Sequence, residues 1–433
     1  MRQFSQSPRL WATLALALCL VGDGFAQSSR PQFVDNADLK AAAKKQSQLR
    51  YAEALDLYAA VAFSDLKRHL QRKDSVETMR TVAFNQGVVC SLKSGNRQMA
   101  STLLDSLIVH GMASPTQWDQ RFDLALSLGQ DDVASNLVRD AVTCKGLPTD
   151  WVQSANARTA ERDELRKTVT PATVSLIRPE AKFPEFGAVP LNDGLVYVSS
   201  GLGAGFAPGK DGWTGKGYNQ LGVIANVDSA RRAISGAEKL VRSDVLSKEL
   251  LGPYHNGPLG LGMDGRWLLL TQSQIEPSSK DSLGQGVRKL RLRLFETDGS
   301  GDWENAVERT DAFPYNDVNH NVGHAAMDTL GNLIFSSDRD GGLGGMDLWM
   351  CKWSGESFEE PVNLGDAINT PGDEVFPFVN AINQLYYASN GMAGYGGLDV
   401  FKIDLAGGSR KLLGPPVNSS SDDFALCVNE FGV

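Results

Sequence analysis

The chain has 433 residues, 44 of them glycine, and its 51 acidic against 42 basic side chains give a net charge of −9. That length calls for two domains, and the acidic balance excludes a broad duplex nucleic-acid surface, which needs clustered lysine and arginine against the phosphates. The 5 cysteines form no Cys-x-x-Cys pair, so a structural zinc site is not expected.

The chain begins like a secretory signal peptide. Arg2 and Arg9 are basic, Leu10 to Val21 is apolar, and Gly24-Phe25-Ala26 sets small residues at the positions that specify cleavage after Ala26. About a dozen apolar residues fall short of the roughly 20 that span a bilayer, and no other segment is long enough, so no transmembrane span is predicted. Cys19 follows Leu18, where lipoprotein processing requires a small residue. Cys90, Cys144, Cys351 and Cys427 sit among apolar neighbours and read as buried free thiols rather than disulfides.

Residues 33–165 carry a helical period. Leu92, Gly95, Ala100 and Leu103 return 34 positions later as Leu126, Gly129, Ala134 and Leu137, and 34 is the tetratricopeptide period. Glycine suits a left-handed helix cap, and a small alanine permits close helix approach. An earlier unit, Tyr51, Ala54, Leu55 and Tyr58, resembles the second helix of the same motif, displaced by an insertion carrying Lys67, Arg68, Arg72, Lys73 and Asp74. An ordinary helical bundle is the alternative. Pro148 to Pro171 reads as a last helix and the joint.

From residue 170 to 433 the pattern is strands. Ser336-Ser337-Asp338 through Gly344-Gly345-Met346-Asp347-Leu348-Trp349 recurs 52 positions later as Ala388-Ser389-Asn390 through Gly396-Gly397-Leu398-Asp399-Val400-Phe401. In a second register, Leu364-Gly365 to Asn369 with Asp373-Glu374 returns 49 positions on as Leu413-Gly414 to Asn418 with Asp422-Asp423. Weaker copies follow Val196 to Ser200 and Leu268 to Thr271. Such periods mark blades that cannot bury both faces alone. The predicted fold is therefore α+β and multidomain: a tetratricopeptide-like helical solenoid, then an all-β propeller of about four to five blades, the last incomplete. Thr173 to Ile177 could close the ring, and Ser229 to Glu249 reads as an inserted helix or an irregular outer strand.

The residues that repeat are candidates for structure rather than catalysis. Asp347 and Asp399 hold the same place in each copy, where a carboxylate can accept N–H bonds from the preceding glycine turn. The same holds for Gly344, Gly345, Gly396 and Gly397, and for Asn369, Asp373, Glu374, Asn418 and Asp422. Glycine here suggests positive φ, or a close-packed turn at Gly345 and Gly397. The run Gly341 to Gly345 lacks the Lys and Ser/Thr of a phosphate cradle, and Asp338 to Gly342 lacks the terminal glutamate of an EF-hand loop. His320 and His324 read as a turn leading into a strand. No Gly-x-Ser-x-Gly elbow occurs. No catalytic, metal or cofactor residue is assigned, and no enzyme is expected. The alternative is a propeller glycosidase or other hydrolase with carboxylates at the channel, for which Asp193, Asp264 and Asp328 are the acids to inspect.

His255-Asn256-Gly257-Pro258, Val322-Gly323-His324, Ser336 to Trp349, Pro361 to Phe378 and Ser389 to Phe401 resemble the TolB-related, WD-like propeller repeats of Bacteroidota envelope proteins in the OmpA-like class, in which tetratricopeptide units precede the propeller. Some members resemble the peptidoglycan-associated, PorE-like subunit of type IX secretion and gliding machinery. The resemblance implies a periplasmic, outer-membrane-associated scaffold whose partners are other cell-envelope proteins; a Tol-like envelope-integrity role shares the fold. Members usually continue into further blades, a β-sandwich and an OmpA-like domain that grips peptidoglycan. This chain stops at Val433, which implies a truncated product or a shortened paralogue. Peptidoglycan association is then expected only through a partner or a missing C-terminal domain.

Overall fold

The computed structural model describes residues 36–64, 73–144, 146–167, 170, 183–191, 194–201, 210–224, 251–262, 265–280, 286–298 and 306–428. The expected signal peptide, Thr173 to Ile177, Ser229 to Glu249, Asp193 and Asp264 lie outside them. Seven helices among the described residues precede a four-blade all-β propeller. The chain falls into two compact units, Met1–Asn156 with Lys210–Lys216, and Ala157–Gly209 with Gly217–Val433.

The helices are α1 (Asn36–Ser47), α2 (Tyr51–Phe63), α3 (Lys73–Lys93), α4 (Arg97–Val109), α5 (Pro115–Ser127), α6 (Asp131–Ala141) and α7 (Trp151–Leu165). Three helix-to-helix turns share one geometry. Leu49, Gly95 and Gly129 take φ of 56°, 73° and 65°. The next N–H then reaches back across the cap, Arg50 to the Lys45 carbonyl at 3.0 Å, Asn96 to Ser91 at 2.8 Å and Gln130 to Ala125 at 2.8 Å. Carbonyls that the ending helix would leave unpaired are satisfied this way. Four residues beyond each of those N–H groups stands an alanine, Ala54, Ala100 or Ala134, buried to 2% exposure or less. The 34-residue repeat thus has a third copy upstream, in which Leu49 occupies the left-handed position that glycine takes elsewhere.

Two clusters fill this unit. One joins Tyr58, Phe84, Leu103, Leu104 and Leu107. The other joins Trp118, Phe122, Leu137 and Trp151, with the Trp151 indole donating to Asp119 at 2.8 Å. Arg121 is nearly buried and forks onto Asp105 at 2.7 and 3.2 Å. No helix among the described residues is long and apolar enough to cross a membrane.

The second unit holds four antiparallel sheets. Blade one is β1 (Glu185–Leu191), β2 (Gly194–Ser199) and β3 (Gln220–Ile224). Blade two is β4 (Asn256–Leu261), β5 (Trp267–Lys280), β6 (Gly286–Glu296) and β7 (Val307–Glu308). Blade three is β8 (Val322–Met327), β9 (Leu333–Ser337), β10 (Asp347–Cys351) and β11 (Val362–Asn363). Blade four is β12 (Glu374–Val379), β13 (Gln384–Ser389), β14 (Asp399–Asp404) and β15 (Lys411–Leu412).

Strand alternation sends neighbouring side chains to opposite faces, and each face packs on a different blade. Leu268 and Leu270 join Val196 and Val223 of blade one, whereas Trp267 and Leu269 join Leu333 and Phe335 of blade three. Ile334, between those two, turns the other way to meet Leu385 and Phe401 of blade four. The far face of blade four, with Tyr386 and Val400, is covered by Leu413, Leu426 and Val428. A fifth ladder strand is not formed by the described residues beyond β15; Asp422 to Val428 runs without strand pairing.

Candidate functional site

The innermost strand of each blade carries one residue forced into positive φ. These are Gly187 at 60°, Gly257 at 101°, His324 at 49° and Phe376 at 53°, and the unpaired C-terminal segment repeats the feature at Ala425 with 57°. In all four sheets the ladder register slips at that point, between Phe186 and Val189, Asn256 and Leu259, Gly323 and Ala326, and Val375 and Phe378. The slip is a bulge that bends the strand beside the propeller axis. Asp422 to Val428 shares the positive φ without forming a strand.

These five segments enclose a cavity of about 440 Å³. Its wall runs through Gly187 to Pro190, Pro258 to Gly262, His324 to Met327, Phe376 to Ala381 and Ala425 to Val428. The His324 imidazole stacks on Phe376 with centroids 4.0 Å apart and planes 12° from parallel, and Phe376 stacks in turn on Phe424 at 4.8 Å. Phe186 meets both phenyl rings edge-on. The main-chain N–H of His324 donates to Thr271 Oγ1 at 2.8 Å, while its Nδ1 is buried with no partner. Enclosure by protein pushes this imidazole down to a pKa of about 4, so it is neutral at physiological pH.

No family model and no curated protein matches the chain. Among solved structures it is similar to the β-propeller domain of the Trilobed protease from Pyrococcus furiosus, at 15% identity over 53% of this chain and 55% of that one, with a TM-score of 0.25. A luciferin-regenerating enzyme is similar at 12% identity over 59% and 70% of the two chains, TM-score 0.28. A prolyl endopeptidase is similar at 16% identity over 60% and 38%, TM-score 0.25. The chain spans about half the length of the first of these. At such scores, the propeller rests on the chain's own sheets.

The repeated polar residues do not line this cavity; they serve the turns and strand starts of blades three and four. Asp347 is fully buried at the start of β10. It accepts from Leu343 N at 2.5 Å and Gly344 N at 3.2 Å, the glycine turn just before it, and from Asn363 Nδ2 at 2.8 Å. Asp399 accepts from Tyr395 N and Gly396 N, both at 2.9 Å, yet its Oδ1 is buried without a partner. Desolvation raises this carboxyl to about 6, against the pull of those two N–H bonds.

Asn369 brackets Leu348, accepting from its N–H at 2.8 Å and donating to its carbonyl at 3.0 Å. Asn418 does the same to Val400 at 2.8 and 3.0 Å. Asp373 and Asp422 each accept one N–H from the turn before the third strand, Met346 and Leu398, both at 2.9 Å. Glu374, fully buried, takes Thr370 N at 2.8 Å, Thr370 Oγ1 at 2.6 Å and Ser389 Oγ at 2.6 Å.

The glycines differ from the positive-φ expectation. Gly341 takes φ of 90°, but Gly344, Gly345, Gly396 and Gly397 do not enter the left-handed region. Three of these four are required by close approach instead: a Cβ would stand 2.2 Å from the Thr370 carbonyl at Gly344, 2.3 Å from Asp373 Oδ1 at Gly345 and 1.7 Å from the Ser421 carbonyl at Gly396.

Asp328, an acid singled out for a hydrolase, closes its own hairpin by accepting from Leu330 N, Asn332 N and Asn332 Nδ2, each at 2.8 Å. His320 sits beside Asp317 and Asp340, and no group of acids, histidines and cysteines among the described residues could hold a metal ion. No disulfide joins Cys90, Cys144, Cys351 and Cys427; burial pushes Cys351 up to about 12 and Cys90 and Cys427 up to about 11.

Sequence reasoning missed blade two's version of the amide clip. Asn316 brackets Leu292 at 3.0 and 2.8 Å, and Asn321 accepts from Leu290 N at 3.0 Å. Asparagine replaces the aspartate at the second position and the spacing grows from four residues to five, which hides the match.

Proposed function

We propose that the protein is a non-enzymatic scaffold of the cell envelope that binds other envelope proteins, periplasmic and associated with the outer membrane, in machinery of the type IX secretion or gliding kind. The observation that carries this reading is an apolar stripe left open to solvent on α3. Val82, Val89 and Leu92 are 42%, 41% and 39% exposed, and their spacing of seven and three residues puts them on one helix face. Large apolar side chains aligned in this way favour a protein partner. The repeated carboxylates add support, because they are engaged by backbone donors in the blades.

The test is a photocrosslinking amino acid placed at Val89 in cells that export the full chain. Crosslinks to envelope proteins, lost on Val82→Glu with Leu92→Glu, are expected, with stability unchanged within about 0.5 kcal/mol because both sites are at the surface. Turnover of a glycoside or peptide by the purified chain, abolished by Asp328→Asn with the fold intact, would replace the scaffold with a hydrolase.

A further inference from the structure

The axial cavity has the properties of a ligand site independent of any protein partner. Its volume of about 440 Å³ falls in the range that takes small organic molecules. No charged side chain lines it among the described residues. An ion placed there would lose its hydration without gaining a counter-charge, whereas an uncharged apolar molecule would release water from both surfaces. The wall also offers two rings stacked nearly in parallel, His324 on Phe376, an arrangement that a further flat ring can extend in offset fashion.

Two side chains bring nitrogen to this otherwise apolar wall, Asn380 and His324; the Asn380 amide serves its own hairpin, accepting from Ile382 N at 3.2 Å and Gln384 N at 2.9 Å. His324 lines the cavity and is half-buried; its Nδ1 is enclosed by protein without a partner, so Nε2 is the nitrogen that a ligand would meet, and a ring nitrogen shielded from water gains from such a partner. The neighbouring inner strand shows that an imidazole is not needed for the backbone: Phe376 takes the equivalent bulge position with φ of 53°, against 49° at His324. A nitrogen is therefore present where a phenyl ring meets the same conformational demand.

We propose that the axial cavity binds an uncharged, flat aromatic molecule with one hydrogen-bonding group, which packs beside the His324 and Phe376 rings and pairs with the imidazole Nε2. The probe is N-phenyl-1-naphthylamine, which is uncharged, aromatic and carries one N–H, titrated by its fluorescence into the purified full chain. Saturable binding of one probe per chain is expected. Ala188→Phe, which fills the cavity from the half-buried wall of β1, weakens it at least about tenfold by occlusion. His324→Phe keeps the ring and weakens it about fivefold, the scale of one lost hydrogen bond.

The sulfonated analogue 8-anilinonaphthalene-1-sulfonate binds at least about tenfold more weakly, since its charge finds no partner in the cavity. Melting curves establish that the variants fold; if Ala188→Phe does not, Ala381→Phe at the exposed rim takes its place. Equal probe binding by the occluding variant, equal affinity for the sulfonate, or unchanged binding by His324→Phe would each overturn the proposal.

Discussion

Blades three and four are built on the same plan and differ in how completely it is carried out. Both pair their second and third strands over the full length of the shorter strand, five residue pairs in one and six in the other. Both clip the third strand with an asparagine, Asn369 on Leu348 and Asn418 on Val400. Blade three is packed between two other blades, whereas blade four meets a sheet on one face and a run of unpaired chain on the other. The polar interior follows suit. Asp347 has three donors, the third from Asn363 on β11. At the corresponding place on β15 stands Leu412, paired with Phe401 as Asn363 is with Trp349. Asp399 has two donors, both on Oδ2, and its Oδ1 is buried and unpaired. A repeat can preserve its backbone register while a single outer-strand substitution changes the electrostatics of the carboxylate inside it.

The strongest way to break this comparison is to replace each carboxylate by its amide. Asp347→Asn puts an NH₂ among three donors and should cost about 2–3 kcal/mol in denaturant unfolding. Asp399→Asn keeps an oxygen for Tyr395 and Gly396 and sets the amide nitrogen in place of the unpaired oxygen, so its cost at pH 7 should be close to zero. Equal losses at the two sites would mean that the missing donor is irrelevant.

Proton linkage sharpens the same point. The folded-state carboxyl of Asp399 is raised to about 6, above the usual unfolded value of about 3.9. The folded form therefore binds the proton more tightly, and the associated stability is present below pH 4 and lost as pH rises to 6. The difference in unfolding free energy between the parent and Asp399→Asn should move in the variant's favour by about 2 kcal/mol between pH 4 and pH 7. A pH-independent difference would show that Asp399 titrates normally.

The smallest expected effect is a repair. Leu412→Asn offers blade four the donor that Asn363 supplies in blade three. It should bring the Asp399 carboxyl back toward the ordinary range and raise stability at pH 7 by about 1 kcal/mol, less whatever packing the half-buried leucine contributed. Titration followed by carbon-13 NMR of the carboxyl reads the first effect directly, and an unmoved midpoint would place Asn363 outside the cause.

Much of this plan was legible in the sequence because side-chain chemistry repeats with it. The Gly-Gly-x-Asp strings and the Asn-to-acid spacing of blades three and four could be aligned by eye, and so could Gly95 with Gly129. The axial site could not. Its defining property is a backbone angle shared by Gly187, Gly257, His324, Phe376 and Ala425, five positions with no common side-chain character. The upstream helical unit was legible from Tyr51, Ala54, Leu55 and Tyr58, but its left-handed cap at Leu49 was not, since leucine is rarely chosen for that region. Asn316 and Asn321 were hidden by a one-residue insertion and the exchange of a carboxylate for an amide.

The alternation of side chains between successive interfaces has a genetic consequence. Leu333 and Ile334 adjoin in the chain, yet the first belongs to the core between blades two and three and the second to the core between blades three and four. Substitutions at such neighbours should combine nearly independently, while Ile334 should be coupled to Leu385 and Phe401, which lie 51 and 67 positions away. Compensating changes in this chain should therefore be sought about one blade length apart rather than next door.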